Sequence, residues 1–248
     1  MKTRAIAVLM TLAAAAAARA QTPARPAGSV TRICSDQAHG EGPLVDPYAP
    51  LAAKLNAEIV TSSAPITADT LKGCRLLIVR VPTQEIKGEE SAAIADFVRA
   101  GGALLLAFDE ERRAPLAATR VNDVMAPFGM TLTADTEYLH NNGAVVKKGA
   151  ISAADRELPF SGGRAVEGGT PFGWQLDKDG KPGHVFAASA TAGNRGKVVV
   201  LGDAMVTLFL GTPEGVRLTG VPRDPTRTTY WGKDSAIFME ELLTWLIK

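Results

Sequence analysis

The sequence predicts an α/β fold of the flavodoxin-like, doubly wound type. That is a mainly parallel sheet with helices on both faces, here with a β- and loop-rich insertion. Three observations predict it. Strand-like and helix-like patterns alternate from residue 30 to residue 133. Two strand-like runs, Leu76–Val81 and Ala103–Phe108, are apolar at almost every position, as strands covered on both faces require. Between them Gly88–Ala100 is amphipathic with a helical period and stops at Gly101-Gly102.

The first twenty residues read as an expected signal peptide, cleaved after Ala20. Lys2 and Arg4 open it, and the apolar run Ala5–Ala18 is short for a membrane span. Ala18-Arg19-Ala20 then places small residues where signal peptidase reads. No twin arginine precedes the run and no cysteine follows the site, so the expected product is a soluble periplasmic or secreted protein. Residues 21–29, with two prolines, read as a flexible leader, and 30–248 as one domain.

Val30–Cys34 is the first expected strand. Pro50–Ala57 carries a helix with Leu51 and Leu55 on one face, Glu58–Thr61 is the second strand, and Leu76–Val81 is a third, stopped by Pro82. In the helix Gly88–Ala100, Glu89 and Glu90 lie near the positive N-terminal end, and Ile94, Phe97 and Val98 form the apolar stripe. Ala103–Phe108 is a fourth strand, Pro115–Phe128 a helix ended by Gly129, and Met130–Thr133 another strand. Residues 139–184 are Gly-dense and polar, and read as an insertion at the far side of the sheet. Regularity returns with the hairpin Val185–Ala190 and Lys197–Leu201 around Gly193-Asn194-Arg195-Gly196. A loop over 211–233 carries three prolines, three arginines, Tyr230 and Trp231. Asp234 or Ser235 caps a closing helix with Phe238, Leu242, Trp245 and Leu246 on one stripe.

Composition narrows the function. A formal net charge of +1 leaves no electrostatic footprint for nucleic acid or an acidic membrane surface. No stretch beyond residue 20 is long and apolar enough for a membrane span. The two cysteines, Cys34 and Cys74, fall at the end of one expected strand and the start of its parallel neighbour. Four or five residues at ~3.3 Å each separate those levels by roughly 15 Å, and a bridge needs Cα atoms within about 7 Å. Both thiols are therefore expected to be free.

In open parallel sheets ligands bind beyond the carboxyl ends of the strands. Three such ends here are polar: "CSDQAHGEGP" at 34–43, Asp109-Glu110-Glu111, and Asp203. The candidate ligand-binding residues are Asp36, His39, Glu41, Asp109, Glu110, Asp203 and the loop residue Trp231. Carboxylates of this kind bind hydroxyls of a polyol or sugar, with Trp231, Tyr230 or Trp174 stacking on a ring face. The same acids with one imidazole suit a divalent metal. Their spacing matches no short metal signature, and strand-end aspartates also cap helices and turns, so no metal and no cofactor is assigned. Cys34 beside His39 could form a thiolate pair, but no acylation elbow or oxyanion loop accompanies it. His140 and the loop arginines Arg217, Arg223 and Arg227 read as solvated. No glycine run has P-loop or dinucleotide spacing.

Three segments together, "DQAHGE", "EESAAIADFVRAGGALLLAFDEE" and "VVVLGDAMVTLFL" with "DSAIFMEELLTWLI", resemble the class I glutamine amidotransferase-like superfamily. The likeness is to its non-catalytic branch, found in gliding-motility ABC-transporter auxiliary proteins, intraflagellar-transport proteins and exported bacterial proteins. It covers roughly 30–138 and 185–248. Catalytic members carry a cysteine on a tight turn after the strand that corresponds to Ala103–Phe108, with a histidine and a glutamate later. That turn reads Phe108-Asp109-Glu110 here, and the later strand reads "VVVLGDAM". The resemblance therefore implies the fold without glutamine hydrolysis. The expected function is an exported, non-catalytic module binding a small molecule, a glycan or an envelope protein. The alternatives are a metal-assisted hydrolase using Asp36, His39, Asp109 and Asp203, or a scaffold in envelope assembly or transport.

Overall fold

The computed structural model describes residues 30–42, 45–137, 143–160, 162–193, 195–208 and 234–248. The expected signal peptide and leader, His140, and the loop with Tyr230 and Trp231 lie outside them. In chain order the elements begin with β1 (Thr31–Asp36), α1 (Val45–Lys54), β2 (Ala57–Ser62), β3 (Leu76–Arg80), α2 (Gly88–Arg99) and β4 (Ala103–Ala107). Next come α3 (Leu116–Thr119), α4 (Val121–Met125), β5 (Met130–Asp135), β6 (Ala144–Val146), β7 (Arg156–Leu158), β8 (Arg164–Gly168) and β9 (Thr170–Leu176). The chain closes with β10 (Pro182–Ala192), β11 (Gly196–Leu201), α5 (Met205–Leu208) and α6 (Ser235–Ile247).

Nine strands form one mixed sheet in the order β2-β1-β3-β4-β11-β10-β9-β6-β7. The pairs from β2 through to β11 are parallel, and those from β11 on to β7 are antiparallel. The apolar parallel strands are explained by burial on both faces. Ile33, Leu76, Ile78 and Leu105 pack into one core with Tyr48 and Leu51 of α1 and Phe238, Leu242 and Leu246 of α6. Their alternates Cys34, Leu77, Val79 and Leu104 face a second core with Ile94 and Val98 of α2 and Val121 and Val124 of α4.

The Gly-dense stretch after residue 139, read as β- and loop-rich, supplies β6, β7 and β9, which continue the main sheet, while β8 pairs with β5 in a separate two-stranded ribbon. Other expectations need correction. The expected helix Pro115–Phe128 breaks at Arg120, which takes a left-handed backbone (φ 54) and separates α3 from α4. The helix expected over Pro50–Ala57 starts earlier and ends at Lys54, because Asn56 turns left-handed (φ 48) and Ala57 already pairs with Thr31. Phe97 and Trp245 are only half-buried. The Phe97 ring lies over Gly102 instead, where any Cβ would collide with it.

The cysteines are not free: Cys34 and Cys74 form a disulfide, with Cα atoms 5.8 Å apart. Two assumptions fail. β1 runs on to Asp36, so Cys34 lies inside the strand, opposite Leu77. Cys74 precedes β3, in a turn whose Leu71 and Ile66 pack on the same face as Cys34. That turn bends back over β1 and removes the separation. By the chain-entropy relation, closing a 40-residue separation contributes about 4 kcal/mol.

Candidate binding site at the end of β1

After Asp36 the backbone turns sharply. Asp36 Oδ1 accepts the Ala38 N–H at 3.0 Å, and Glu41 Oε2 accepts the His39 N–H at 2.9 Å. Gly40 sits at φ +81, and a Cβ there would run into the Thr83 hydroxyl. The His39 carbonyl accepts N–H bonds from Thr83 (2.8 Å) and Gln84 (3.0 Å), which clamp the loop to the chain following β3.

This turn aims three buried side chains at one point. Ligand atoms of Asp36, His39 and Glu41 all lie within 4.8 Å of one another. His39 Nδ1 is 2.5 Å from Asp36 Oδ2, and Nε2 is 3.3 Å from Glu90 Oε2 on α2. Glu90 is held in turn by the N–H groups of Ile66 (2.8 Å) and Lys87 (3.0 Å). Burial opposes a charge on His39, but Asp36 first and Glu90 second outweigh it and raise its pKa to about 9. Burial also works against a charge on Glu90, whose backbone donors and His39 hold its pKa below the usual range. At neutral pH His39 is thus an imidazolium between two carboxylates.

Glu41 is less well provided for. Burial, then the charge and hydrogen bond of Asp36, push its pKa up to about 8. Its Oε1 receives no N–H or O–H from any described residue. Nearby, Arg80 closes β3 and is nine-tenths buried. It donates through Nη2 to the Gly42 carbonyl at 3.0 Å, while its Nε has no partner among the described residues. Burial lowers the Arg80 pKa, opposed by the Tyr48 hydroxyl and by Glu41 and Asp109. Asp109 accepts the Glu110 N–H at 2.8 Å and faces Arg113 Nη1 at 3.4 Å. Burial still raises its pKa to about 6.

The sequence candidates therefore divide. Asp36, His39 and Glu41 converge, and Asp109 joins them through the charge of Arg80. Glu110 turns away into ion pairs with Arg112 (2.7 Å) and Arg113 (3.2 Å). Asp203 caps the start of α5, accepting the Met205 N–H at 2.6 Å. Trp231 lies outside the described residues. Glu90 and Arg80 are additions. Glu90 reads in sequence as a helix-start acid, but Arg80 carries a legible signal, a single charge at the carboxyl end of an apolar strand run. The turn Phe108–Glu110 is not the strained one either. Among the described residues the left-handed non-glycine residue at the carboxyl end of a strand is Val81 (φ 52), directly after β3. Neither place offers a thiol or hydroxyl nucleophile.

No protein-family model matches the chain, and no curated protein matches it. Among solved structures the chain is similar to the N-terminal domain of mmIFT52, with a TM-score of 0.62 at 14% identity, covering 87% of this chain and 97% of that one. A β-galactosidase from Rahnella sp. R3 matches with a TM-score of 0.47 at 12% identity over 69% of this chain. The exo-β-1,4-mannosidase Op5Man5 from Opitutaceae bacterium strain TAV5 matches with 0.45 at 15% over 73%. This chain spans 28% and 32% of those two enzymes. The first likeness shows that the chain shares the fold of that domain. Among the described residues no helix is long and apolar enough to cross a membrane.

Proposed function

We propose that this protein is an exported, non-catalytic binding module on a doubly wound, flavodoxin-like and amidotransferase-like fold. Its ligand sits at the carboxyl edge of the parallel strands, against Asp36, His39, Glu41, Asp109 and Arg80. One observation carries the reading: among the described residues, polar groups buried at that edge are left without protein partners. Glu41 Oε1 lacks a donor and Arg80 Nε an acceptor, and an unmade buried hydrogen bond costs about 1–3 kcal/mol. A ligand offering both donors and acceptors, such as the hydroxyls of a sugar, would satisfy them. The strand order β2-β1-β3-β4-β11 supports the doubly wound assignment. The disulfide supports export, because such bonds persist in oxidising compartments. The absence of a nucleophile at Val81 and at Phe108–Glu110 supports binding over acyl transfer.

The test pairs thermal shift against neutral mono- and oligosaccharides with pull-down of envelope proteins, on wild type and Asp109→Asn. The reading expects a glycan-induced stabilisation that Asp109→Asn weakens at least tenfold in affinity, with its unliganded melt unchanged. Capture of an envelope protein alone would favour the scaffold reading. A lowered Asp109→Asn melt with binding untouched would overturn the proposed site.

A further inference from the structure

We propose that Asp36, His39 and Glu41 bind one divalent transition cation, zinc foremost. This rests on the binding reading, since it names an ion held at the same edge. The geometry is that of acceptors facing acceptors. Asp36 and Glu41 bring two buried carboxylates within 4.8 Å of each other and of an imidazole nitrogen. Glu41 is nine-tenths buried, its carboxylate belongs to this cluster, and its Oε1 has no donor among the described residues. Opposed buried carboxylates are held together by a shared proton or by a metal. Among the described residues Arg80 makes no ion pair with either acid, so the cation facing Asp36 is His39 itself, whose proton a metal would displace.

The histidine is set up as a ligand. Nδ1 faces the cluster through Asp36, while Nε2 faces the Glu90 carboxylate at 3.3 Å. Glu90 is itself fixed by two backbone N–H bonds. A carboxylate on the far nitrogen is the usual way a ligating histidine is oriented and made more basic. Two carboxylate oxygens and one imidazole nitrogen suit zinc, and three protein ligands leave a coordination position open for an oxygen of a second ligand. Binding exchanges protons for the metal: the cation takes the place now bridged by hydrogen between Asp36, His39 and Glu41, with no redox change. A separation of 2.5 Å between Nδ1 and Oδ2 is too short for two ligands of one tetrahedral ion, which stand about 3.3 Å apart, so imidazole and carboxylate would separate by roughly 0.8 Å on loading.

The experiment uses the tag-free chain, stripped with chelator and titrated with zinc chloride alone. The proposal expects one zinc per chain. Glu41→Gln should weaken binding at least 30-fold while its melt in chelator stays close to wild type. The double variant His140→Ala/His184→Ala should bind as wild type does. If Glu41→Gln fails to fold, zinc-edge X-ray absorption on the wild-type complex must show one imidazole and otherwise oxygen ligands. Failure to take up stoichiometric zinc, undiminished binding by Glu41→Gln, or loss in the double histidine variant would overturn the site. Glycan and envelope-protein binding by the same chelated samples is scored separately, so its survival without zinc uptake removes the cation and keeps the binding module.

Discussion

Two buried arginines lie near the carboxyl ends of neighbouring strands β3 and β4, and they are housed in opposite ways. Arg164, 1% exposed, donates to the carbonyls of Asp109 (2.9 Å), Thr133 (2.9 Å) and Ala114 (3.3 Å) and to Glu111 at 2.5 Å. Its guanidinium also lies 5.4 Å from the centre of the Phe108 ring. Among the described residues Arg80 has one bond, to the Gly42 carbonyl, and an idle Nε, while Glu41, close enough for its charge to act on Arg80, has an idle oxygen of its own. The first arginine ties β8 to the loop after β4, and its donors are spent on the fold. The second corner keeps polar capacity in reserve. What separates a structural cluster from a site is therefore satisfaction, not charge or burial.

The largest expected effect breaks the satisfied corner. Arg164→Met should cost about 3–5 kcal/mol in denaturant unfolding, because it strands the carbonyls of Asp109, Thr133 and Ala114 at about 1–3 kcal/mol each; a loss under about 1 kcal/mol would erase the contrast. Next, replacing both Cys34 and Cys74 with alanine should lower stability by about 2–4 kcal/mol. The bridge closes β1 onto the turn before β3, just beneath the Glu41 corner. Alkylation of the unreduced protein followed by mass spectrometry should find no modified thiol; two labelled cysteines would remove the bridge.

A smaller effect sharpens the comparison through pH. Three groups at the under-satisfied corner bind protons more tightly folded than unfolded: His39 at about 9 against 6.5, Glu41 at about 8 against 4.5, Asp109 at about 6 against 3.8. Each contribution is fully present below the ordinary value and lost as pH rises through the folded one. The carboxylates held low, such as Glu90, act below pH 4.5 and do not oppose this. The melting temperature of chelated protein should fall between pH 5 and pH 9. A flat or rising profile would mean that the corner is better solvated than its burial implies.

Much of this was readable in the chain. Leu76–Val79 and Ala103–Ala107 are apolar on both faces because both faces are covered, and periodicity reports that directly. Asp36, His39 and Glu41 stand within six residues, so their meeting needed only one turn. Contacts made across distance left weaker traces. Glu90 serves its own helix start and, 51 residues away in sequence, His39; only the first role is local. The disulfide depends on a turn folding back over β1, and strand spacing alone placed its cysteines apart. The break at Arg120 depends on a left-handed residue that no glycine announces. The β-rich character of the stretch after residue 139 was legible, but β6 and β7 are three-residue strands among glycines and carry too little period to place them in the sheet.

The most direct test of the claim that the Glu41 corner is a site, not a strut, is the urea unfolding free energy of Glu41→Gln in chelator at pH 7. Glutamine keeps the shape, supplies an N–H donor toward Asp36 and removes a buried acid. The account predicts stability equal to wild type or higher by up to about 1 kcal/mol, as expected where function rather than folding holds a residue in place. A loss of 2 kcal/mol or more would show Glu41 to be structural, and the corner would then be a second Arg164.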